Sequence, residues 1–382
     1  MAKFKVMPVY GTRPEAVKLA PVIRALKDDD RFETIPVSTG QHKEMLEQVN
    51  EMFQIVPAFD LGLMKVGQGL NGFVSRTLTG LDPVLERVSP DVLLVQGDTS
   101  TAMASALAGF HRGIKVVHLE AGLRTGDKFS PFPEEVNRSI ISKVASLHLA
   151  PTESTSKNLE SEGICPDDIF VTGNTVIDAL LDVAGWEADF SNPILEKLVE
   201  VKAKKVVVTT HRRENLGFLK DIGGAIRILA KQHPSVNFIL PLHLNPAVRE
   251  VLVQEVQGID NIVLTEPLRY DEFTKLVASS MLILTDSGGV QEEAPSLGTP
   301  VLVMRDNTER PEGVAAGAVR LVGTQREGIV REANRLLSDP IALHEMLKSS
   351  NPYGDGKAAL RTVSAIGKLL GIGERMPPFV SQ

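Results

Sequence analysis

The run Phe4-Lys5-Val6-Met7-Pro8-Val9-Tyr10-Gly11-Thr12-Arg13-Pro14-Glu15 is an apolar strand, a polar turn and the start of a helix in twelve residues. Thr12 stands where a helix cap is wanted, and Pro14 suits the first helical turn, where its missing N–H is no loss. An amphipathic stretch follows over residues 15–26. Outward from this unit the same order repeats. Strand-length apolar runs recur at 34–38, 92–96, 116–119, 147–150 and 169–172, separated by helical periods at 43–53, 71–88 and 102–112. Short buried runs alternating with helices imply βαβ units and a parallel sheet.

The alternation stops over residues 178–204, which read as polar and helical without a strand. A second series then begins, with strands at 206–210, 238–242, 262–264, 282–285, 301–304 and 319–322. Its intervening helices fall at 222–231, 247–256, 270–278 and 291–297. The expectation is two successive doubly wound units with a junction near 173–180. A last helical stretch, 357–370, follows the turn-rich Asn351-Pro352-Tyr353-Gly354-Asp355-Gly356 and is placed to cap either unit.

The length of 382 residues exceeds one ordinary core. With 43% hydrophobic and 23% charged residues the composition is globular, and the net charge of -7 argues against a nucleic-acid binder. The single cysteine, Cys165, allows neither an internal disulfide nor a cysteine-based metal site. No apolar stretch approaches the roughly 20 residues that span a bilayer, and the first residues lack a signal-peptide pattern. The chain reads as a cytoplasmic protein that needs no membrane.

In open parallel sheets ligands bind beyond the carboxyl ends of the strands. Five polar clusters follow immediately after expected strands: Gly11-Thr12-Arg13-Pro14-Glu15, Gly97-Asp98-Thr99-Ser100, Glu120-Ala121-Gly122-Leu123-Arg124, His211-Arg212-Arg213-Glu214-Asn215 and Asp286-Ser287-Gly288-Gly289. Two sheets facing each other across a cleft would line it with all five. Each cluster also has a plainer reading. Thr12, Asp98 and Ser287 suit helix caps, the His211 run suits a solvated loop, and Glu134-Glu135 behind Pro133 suits a helix dipole. Paired glycines at a helix start, Gly288 and Gly289, also let a diphosphate approach free N–H groups.

Absences narrow the chemistry. There is no Gly-x-Gly-x-x-Gly fingerprint, no Gly-x-x-x-x-Gly-Lys-Ser/Thr loop and no His-Glu-x-x-His pair, which disfavours NAD, P-loop hydrolysis and zinc catalysis. An anion-binding set (Arg13, His211, Arg212, Arg213, Ser287, Arg310) stands beside a carboxylate set (Asp98, Glu120, Glu134). A phosphate clamp with acid–base carboxylates suits work on a nucleotide-sugar.

With these residues in view, the sequence resembles the bacterial non-hydrolysing UDP-N-acetylglucosamine 2-epimerases. The matching runs are 11–15, 96–99, His118-Leu119-Glu120-Ala121-Gly122-Leu123-Arg124-Thr125, Phe132-Pro133-Glu134-Glu135-Val136-Asn137-Arg138, 210–215 and 286–293. The resemblance implies an α/β, GT-B-like fold of two Rossmann-like parallel-sheet domains facing a cleft. It implies an N-terminal domain over 1–173, a UDP-binding domain over 174–360, and a helix and tail at 361–382 crossing back to the first. It implies interconversion of UDP-GlcNAc and UDP-ManNAc by a homodimer, with UDP as the departing group and no cofactor or metal. Phe273, Ser287, Gly288 and Glu293 match contacts to the uridine side, and Gly289 is a further substrate-binding candidate. Arg13, His211 and Arg310 match diphosphate contacts, and Lys18, Asp98, Glu120, Glu134 and Arg138 match residues around the sugar. Asp98, Glu120, Glu134 and His211 carry the catalytic expectation.

The implied reaction accounts for that set. The C2 proton lies beside no carbonyl, so a carboxylate cannot simply remove it. Breaking the C1–O bond places oxocarbenium character at C1 and acidifies C2–H. UDP then leaves to give a glycal, and re-adds with a proton delivered to the other face. Members activated by a second UDP-GlcNAc use residues matching Gln41 and His42 and often carry an arginine before the residue matching Gln68. Here that position is Gly67, although Gln41, His42, Gln68 and His243 are retained. The alternative reading is a UDP-sugar-dependent glycosyltransferase of the same fold. A UDP-sugar-binding regulatory protein and a hydrolysing epimerase are more distant ones.

Overall fold

A computed structural model describes residues 3–40, 43–65, 67, 69–187, 189–308, 310–348 and 351–381. The chain divides into two units, one formed by residues 1–179 with 353–381 and the other by 180–352.

The first unit holds β1 (Phe4–Tyr10), β2 (Phe32–Thr34), β3 (Val37–Ser38), β4 (Phe59–Asp60), β5 (Val92–Gln96), β6 (Lys115–Leu119), β7 (Leu147–Ala150) and β8 (Ile169–Val171). They form one sheet in the order β4-β3-β1-β5-β6-β7-β8, with β2 also on β1, and every pairing is parallel. Val6, Met7, Val9, Val92, Leu93, Leu94 and Val95 are wholly buried, because helices cover both faces of a parallel sheet. The apolar run at 34–38 is not one strand. Pro36 has no N–H to donate, so the run divides into β2, in register with Phe4–Val6, and β3, in register with Val9 and Tyr10. The two-residue β4 was not among the expected strands.

The second unit holds β9 (Lys205–Thr209), β10 (Asn237–Pro241), β11 (Ile262–Thr265), β12 (Leu282–Thr285), β13 (Val301–Val303) and β14 (Val319–Leu321), again all parallel, in the order β11-β10-β9-β12-β13-β14. The stretch at 178–204 contains two helices, Thr175–Ala184 and Pro193–Glu200, the latter capped by the Asn192 side chain.

The unit boundary departs from the expected 173/174 and 360/361. Residues 174–179 and 353–360 pack with the first unit. Asn174 N–H donates to Tyr353 O at 2.7 Å, and the Asp178 carboxylate accepts from the amides of Ala358 and Ala359, at the start of helix Ala358–Leu369. Arg361, nearly buried, ties that helix to Asp355, Thr172 O and Pro377 O. Arg31 and Lys115 then donate to Ile372 O and Leu369 O, so the final helix and tail belong to the first unit.

Both sheets have a topological switch point. In the first, the chain runs outward from β1 and then returns to start β5 on the other side of it. In the second, β9 and β12 stand in the same relation. Crevices outside the strand ends open at such points. The polar clusters at 11–15, 97–100, 211–215 and 286–289 are the residues leaving those four strands.

Candidate active site

At the β1/β5 switch, Glu15 in the first turn of helix Arg13–Lys27 turns back onto its own loop. Its Oε2 accepts from Gly11 N (2.9 Å), Thr12 N (2.8 Å) and Thr12 Oγ1 (2.9 Å), and its Oε1 accepts from Thr99 Oγ1 (2.5 Å). The side chain is buried, and burial pushes its carboxyl up against the lowering effect of Thr99, Gly11 and Thr12. This bonding fixes the turn that carries Arg13. Arg13 itself is half-buried, and among the described residues no hydrogen bond or ion pair engages it. An arginine held on an ordered turn without a carboxylate suits a phosphate ligand.

Glu120 leaves β6 with a φ of 63°. A non-glycine residue in that left-handed region costs of order 1 kcal/mol and points to a functional constraint. Its carboxylate receives Lys18 Nζ at 2.6 Å on both oxygens, Gln96 Nε2 on Oε2, and Asn174 Nδ2 on Oε1 at 3.4 Å. Asp98 leaves β5 and accepts from Arg138 through Nε (2.9 Å) and Nη2 (2.6 Å). Arg138 is shared with Glu135 (2.8 Å), and Asn137 Nδ2 donates to Asp98 O. Burial would raise the Glu135 carboxyl, but the amides of Gly126 and Thr125 and the Arg138 guanidinium hold it below its ordinary range. Glu134, one residue earlier at the start of helix Glu134–Val144, differs: its Oε2 is buried and, among the described residues, has no hydrogen-bond partner.

The first unit therefore presents two carboxylates fixed by cations and a third with an unused buried oxygen. Behind them, His118 on β6 lies wholly buried with Nε2 2.7 Å from Gly97 O, tying the β5 exit to β6. Burial first, then His148 and nearby arginines, brings its pKa down to about 3, so this histidine is neutral at physiological pH.

At the β9/β12 switch the fixed carboxylate is Asp286, wholly buried. It accepts from Thr210 Oγ1 (2.7 Å), from the amides of His211 and Arg212, and from Asn215 Nδ2 (3.0 Å). His211 Nδ1 stands 3.2 Å from Asp286 Oδ1, and the ring stacks on His243 with centroids 5.9 Å apart. Ser287 caps helix Gly288–Ser296 through its backbone only, its side chain making no cap bond. Gly288 and Gly289 therefore open that helix with bare amides, as an anion requires. Phe273 and Glu293 line one groove of the same unit with Val290 and Ala294. Arg310 does not stand open like Arg13: its Nε donates to buried Glu292 at 2.5 Å. Gln41, His42 and Gln68 lie outside the described residues.

Sequence reading placed Gln96, Thr99 and Glu135 in its runs without a site role, and passed over Asn174 and the holding roles of Glu15 and Asp286. Gln96 carried a signal, a lone amide closing the otherwise apolar Val92–Gln96. Asn174 carried none, because only the β8 exit brings it to Glu120. Among the described residues no group of three His, Cys, Asp or Glu stands together as a metal site, and no helix is long and apolar enough to cross a membrane.

Two parallel α/β units, one presenting fixed carboxylates and the other a histidine beside a glycine-opened helix, define a GT-B-like nucleotide-sugar enzyme. A family model described as UDP-N-acetylglucosamine 2-epimerase matches residues 24–367. The UDP-N-acetylglucosamine 2-epimerase of Yersinia pestis is 50% identical over 372 residues, covering 95% of this chain and 98% of that protein. A crystal structure of a putative UDP-N-acetylglucosamine 2-epimerase from Listeria monocytogenes superimposes with a TM-score of 0.93 at 44% identity, covering 99% of this chain and all of that one (100%). The Neisseria meningitidis UDP-GlcNAc 2-epimerase bound to UDP-GlcNAc gives a TM-score of 0.86 at 44% identity, with 96% and 100% covered. The chain belongs to the UDP-N-acetylglucosamine 2-epimerase family, and as a member it is an enzyme of the isomerase class.

Proposed function

We propose that this enzyme interconverts UDP-GlcNAc and UDP-ManNAc by eliminating UDP to a 2-acetamidoglucal and re-adding it, as a cytoplasmic homodimer supplying precursors for cell-surface polysaccharide. The observation that carries the reading is the inequality of the three carboxylates. Asp98 and Glu120 are held by Arg138 and Lys18, while Glu134 keeps a buried oxygen without a partner. Elimination needs one group to take the C2 proton and another to return it on the opposite face, and acid–base pairs work when their surroundings differ. As the C1–O bond breaks, its electron pair goes to the β-phosphate oxygen of UDP. Arg13 of the first unit, and His211 with the amides of Gly288 and Gly289 of the second, are the donors proposed for that charge. Phe273 and Glu293 take the uridine side, with Arg310 contributing to the diphosphate. Lys18 and Arg138 keep Glu120 and Asp98 oriented toward the sugar. His243, with Gln41, His42 and Gln68, belongs to a regulatory set that Gly67 leaves without its arginine.

The experiment is incubation with UDP-GlcNAc in deuterated water without added NAD or metal. UDP-ManNAc should form carrying deuterium at C2. Product retaining the original hydrogen sinks the elimination route, and no product with UDP-GlcNAc alone favours a transferase that lacks its acceptor. Light scattering of the pure protein tests the homodimer.

A further inference from the structure

The bonding of Asp286 is lopsided. Its Oδ2 gathers Thr210 Oγ1, Arg212 N and Asn215 Nδ2 and shares His211 N, whereas among the described residues Oδ1 has that shared amide and His211 Nδ1 at 3.2 Å. Burial alone would raise this carboxyl. The hydrogen bonds from His211, Thr210 and Arg212 outweigh it and hold the group below the ordinary carboxylate range, so it is an anion that can only accept. His211 Nδ1 must then carry the hydrogen between them. The ring has little freedom to swing away, since one side stacks on His243 at an interplanar angle of 27°. The imidazole is still 39% exposed.

We propose that Asp286 is a positioning residue that locks His211 in the tautomer with hydrogen on Nδ1, making Nε2 the atom presented to the departing diphosphate. Nε2 takes one proton from solvent and becomes a charge-assisted donor to a phosphate oxygen; Asp286 keeps its charge throughout. The catalytic meaning of this rests on the proposed epimerisation, but the tautomer itself does not.

The same lopsidedness defines the test. In Asp286→Asn the one remaining carbonyl oxygen is drawn to the crowded Oδ2 position, where backbone and side-chain donors converge. The amide NH2 must then face His211 Nδ1, which can meet it only as an acceptor, and the ring hydrogen moves to Nε2. The readout is the nitrogen NMR spectrum of the chain carrying labelled histidine at about pH 8, where free imidazole is neutral. His211 is assigned by the signal lost in His211→Gln. The wild-type protein should show a protonated Nδ1 and bare Nε2, and Asp286→Asn the reverse. In the same variant Nδ1 accepts from the amide and cannot take the second proton, so the ring donates from Nε2 only as a neutral group, and without the charge assistance kcat should fall roughly a hundredfold or more with KM within about threefold. Thr210→Val removes one donor from Oδ2 but leaves Oδ1 on His211, so tautomer and kcat should be kept. A wild-type spectrum with hydrogen on Nε2 overturns the assignment whether or not any variant folds. So does a kcat loss in Thr210→Val as large as in Asp286→Asn, which would make the loop and not the tautomer decisive. The expected tautomer in a protein that leaves UDP-GlcNAc unchanged supports the assignment and overturns the proposed function.

Discussion

The turns leaving β1 and β9 are each held by one buried carboxylate, yet the two carboxylates reach their turns by different routes. Glu15 lies three residues beyond Thr12 and closes a capping box within its own helix, adding only Thr99 from the neighbouring strand. Asp286 comes from the end of β12, some 75 positions from His211, and organises a loop on another strand. Their protonation differs accordingly. Glu15 is pushed toward its neutral form by burial, since its partners are two amides and two hydroxyls. Asp286 is held as an anion because a histidine joins its amide and hydroxyl donors. Thus a switch point can be organised locally by an acid whose carboxyl burial raises, or at long range by one held below the ordinary range. The second is the one that can dictate a neighbour's tautomer.

The sharpest way to separate the two regions is to remove the acid–base groups from the first while leaving the second intact. Asp98→Asn and Glu120→Gln should lower turnover by about a hundredfold to ten-thousandfold, the range of general acid–base contributions, while UDP still binds. Glu134→Gln should fall at least about a hundredfold with an unchanged melting temperature, because the oxygen it alters makes no structural bond. Calorimetric titration with UDP checks the binding half, and parallel loss of UDP affinity would break the division of labour. Next come the donors to the leaving group. Arg13→Ala and His211→Ala should each lose roughly a hundredfold at saturating substrate, about 2–4 kcal/mol of stabilisation of departing charge. An unchanged saturating rate assigns the residue to ground-state binding instead.

A smaller effect belongs to stability. His118 and His148 are buried as neutral rings with pKa values near 3 and 4 against an ordinary 6.5, chiefly through burial. Below about pH 6.5 the unfolded chain takes the protons first, so the stabilisation is complete above that pH. It drains away as the pH falls toward 4, by up to about 1.4 kcal/mol per unit for each ring. Melting temperatures at pH 7 and pH 5 should differ, and the slope should shrink in His148→Gln. The least effect is expected at Glu15. In Glu15→Gln the carbonyl oxygen can keep the bonds from Gly11 and Thr12 while the amide donates to the Thr99 hydroxyl, which can accept. Activity within about threefold and a stability loss under about 1 kcal/mol should follow, measured by kinetics and denaturant titration. A collapse as deep as that of Asp286→Asn would erase the contrast between the two turns.

Most of the architecture was legible because parallel strands buried on both faces must be continuous apolar runs, and Phe4–Tyr10, Val92–Gln96 and Leu282–Thr285 are such runs. The exceptions share a cause: β3 and β4 are two-residue strands whose existence depends on a neighbour's free edge, and Pro36 divides a run that hydropathy alone joins. The family was legible too, and the candidate residues Asp98, Glu120 and His211 stand in polar runs directly after strands, while Glu134 opens a helix behind Pro133. The spacing of Thr12 and Glu15 is a capping-box signal that a local pattern carries, although no holding role was read from it. What the tertiary structure alone decided were the partners: Lys18 and Gln96 on Glu120, Arg138 on Asp98, Asp286 on His211, and the return of residues 353–381 to the first unit. Local spacing reports whatever a helix turn or a strand can bring together. A charge's partner across 40 to 100 residues depends on strand order and register, which no local pattern encodes.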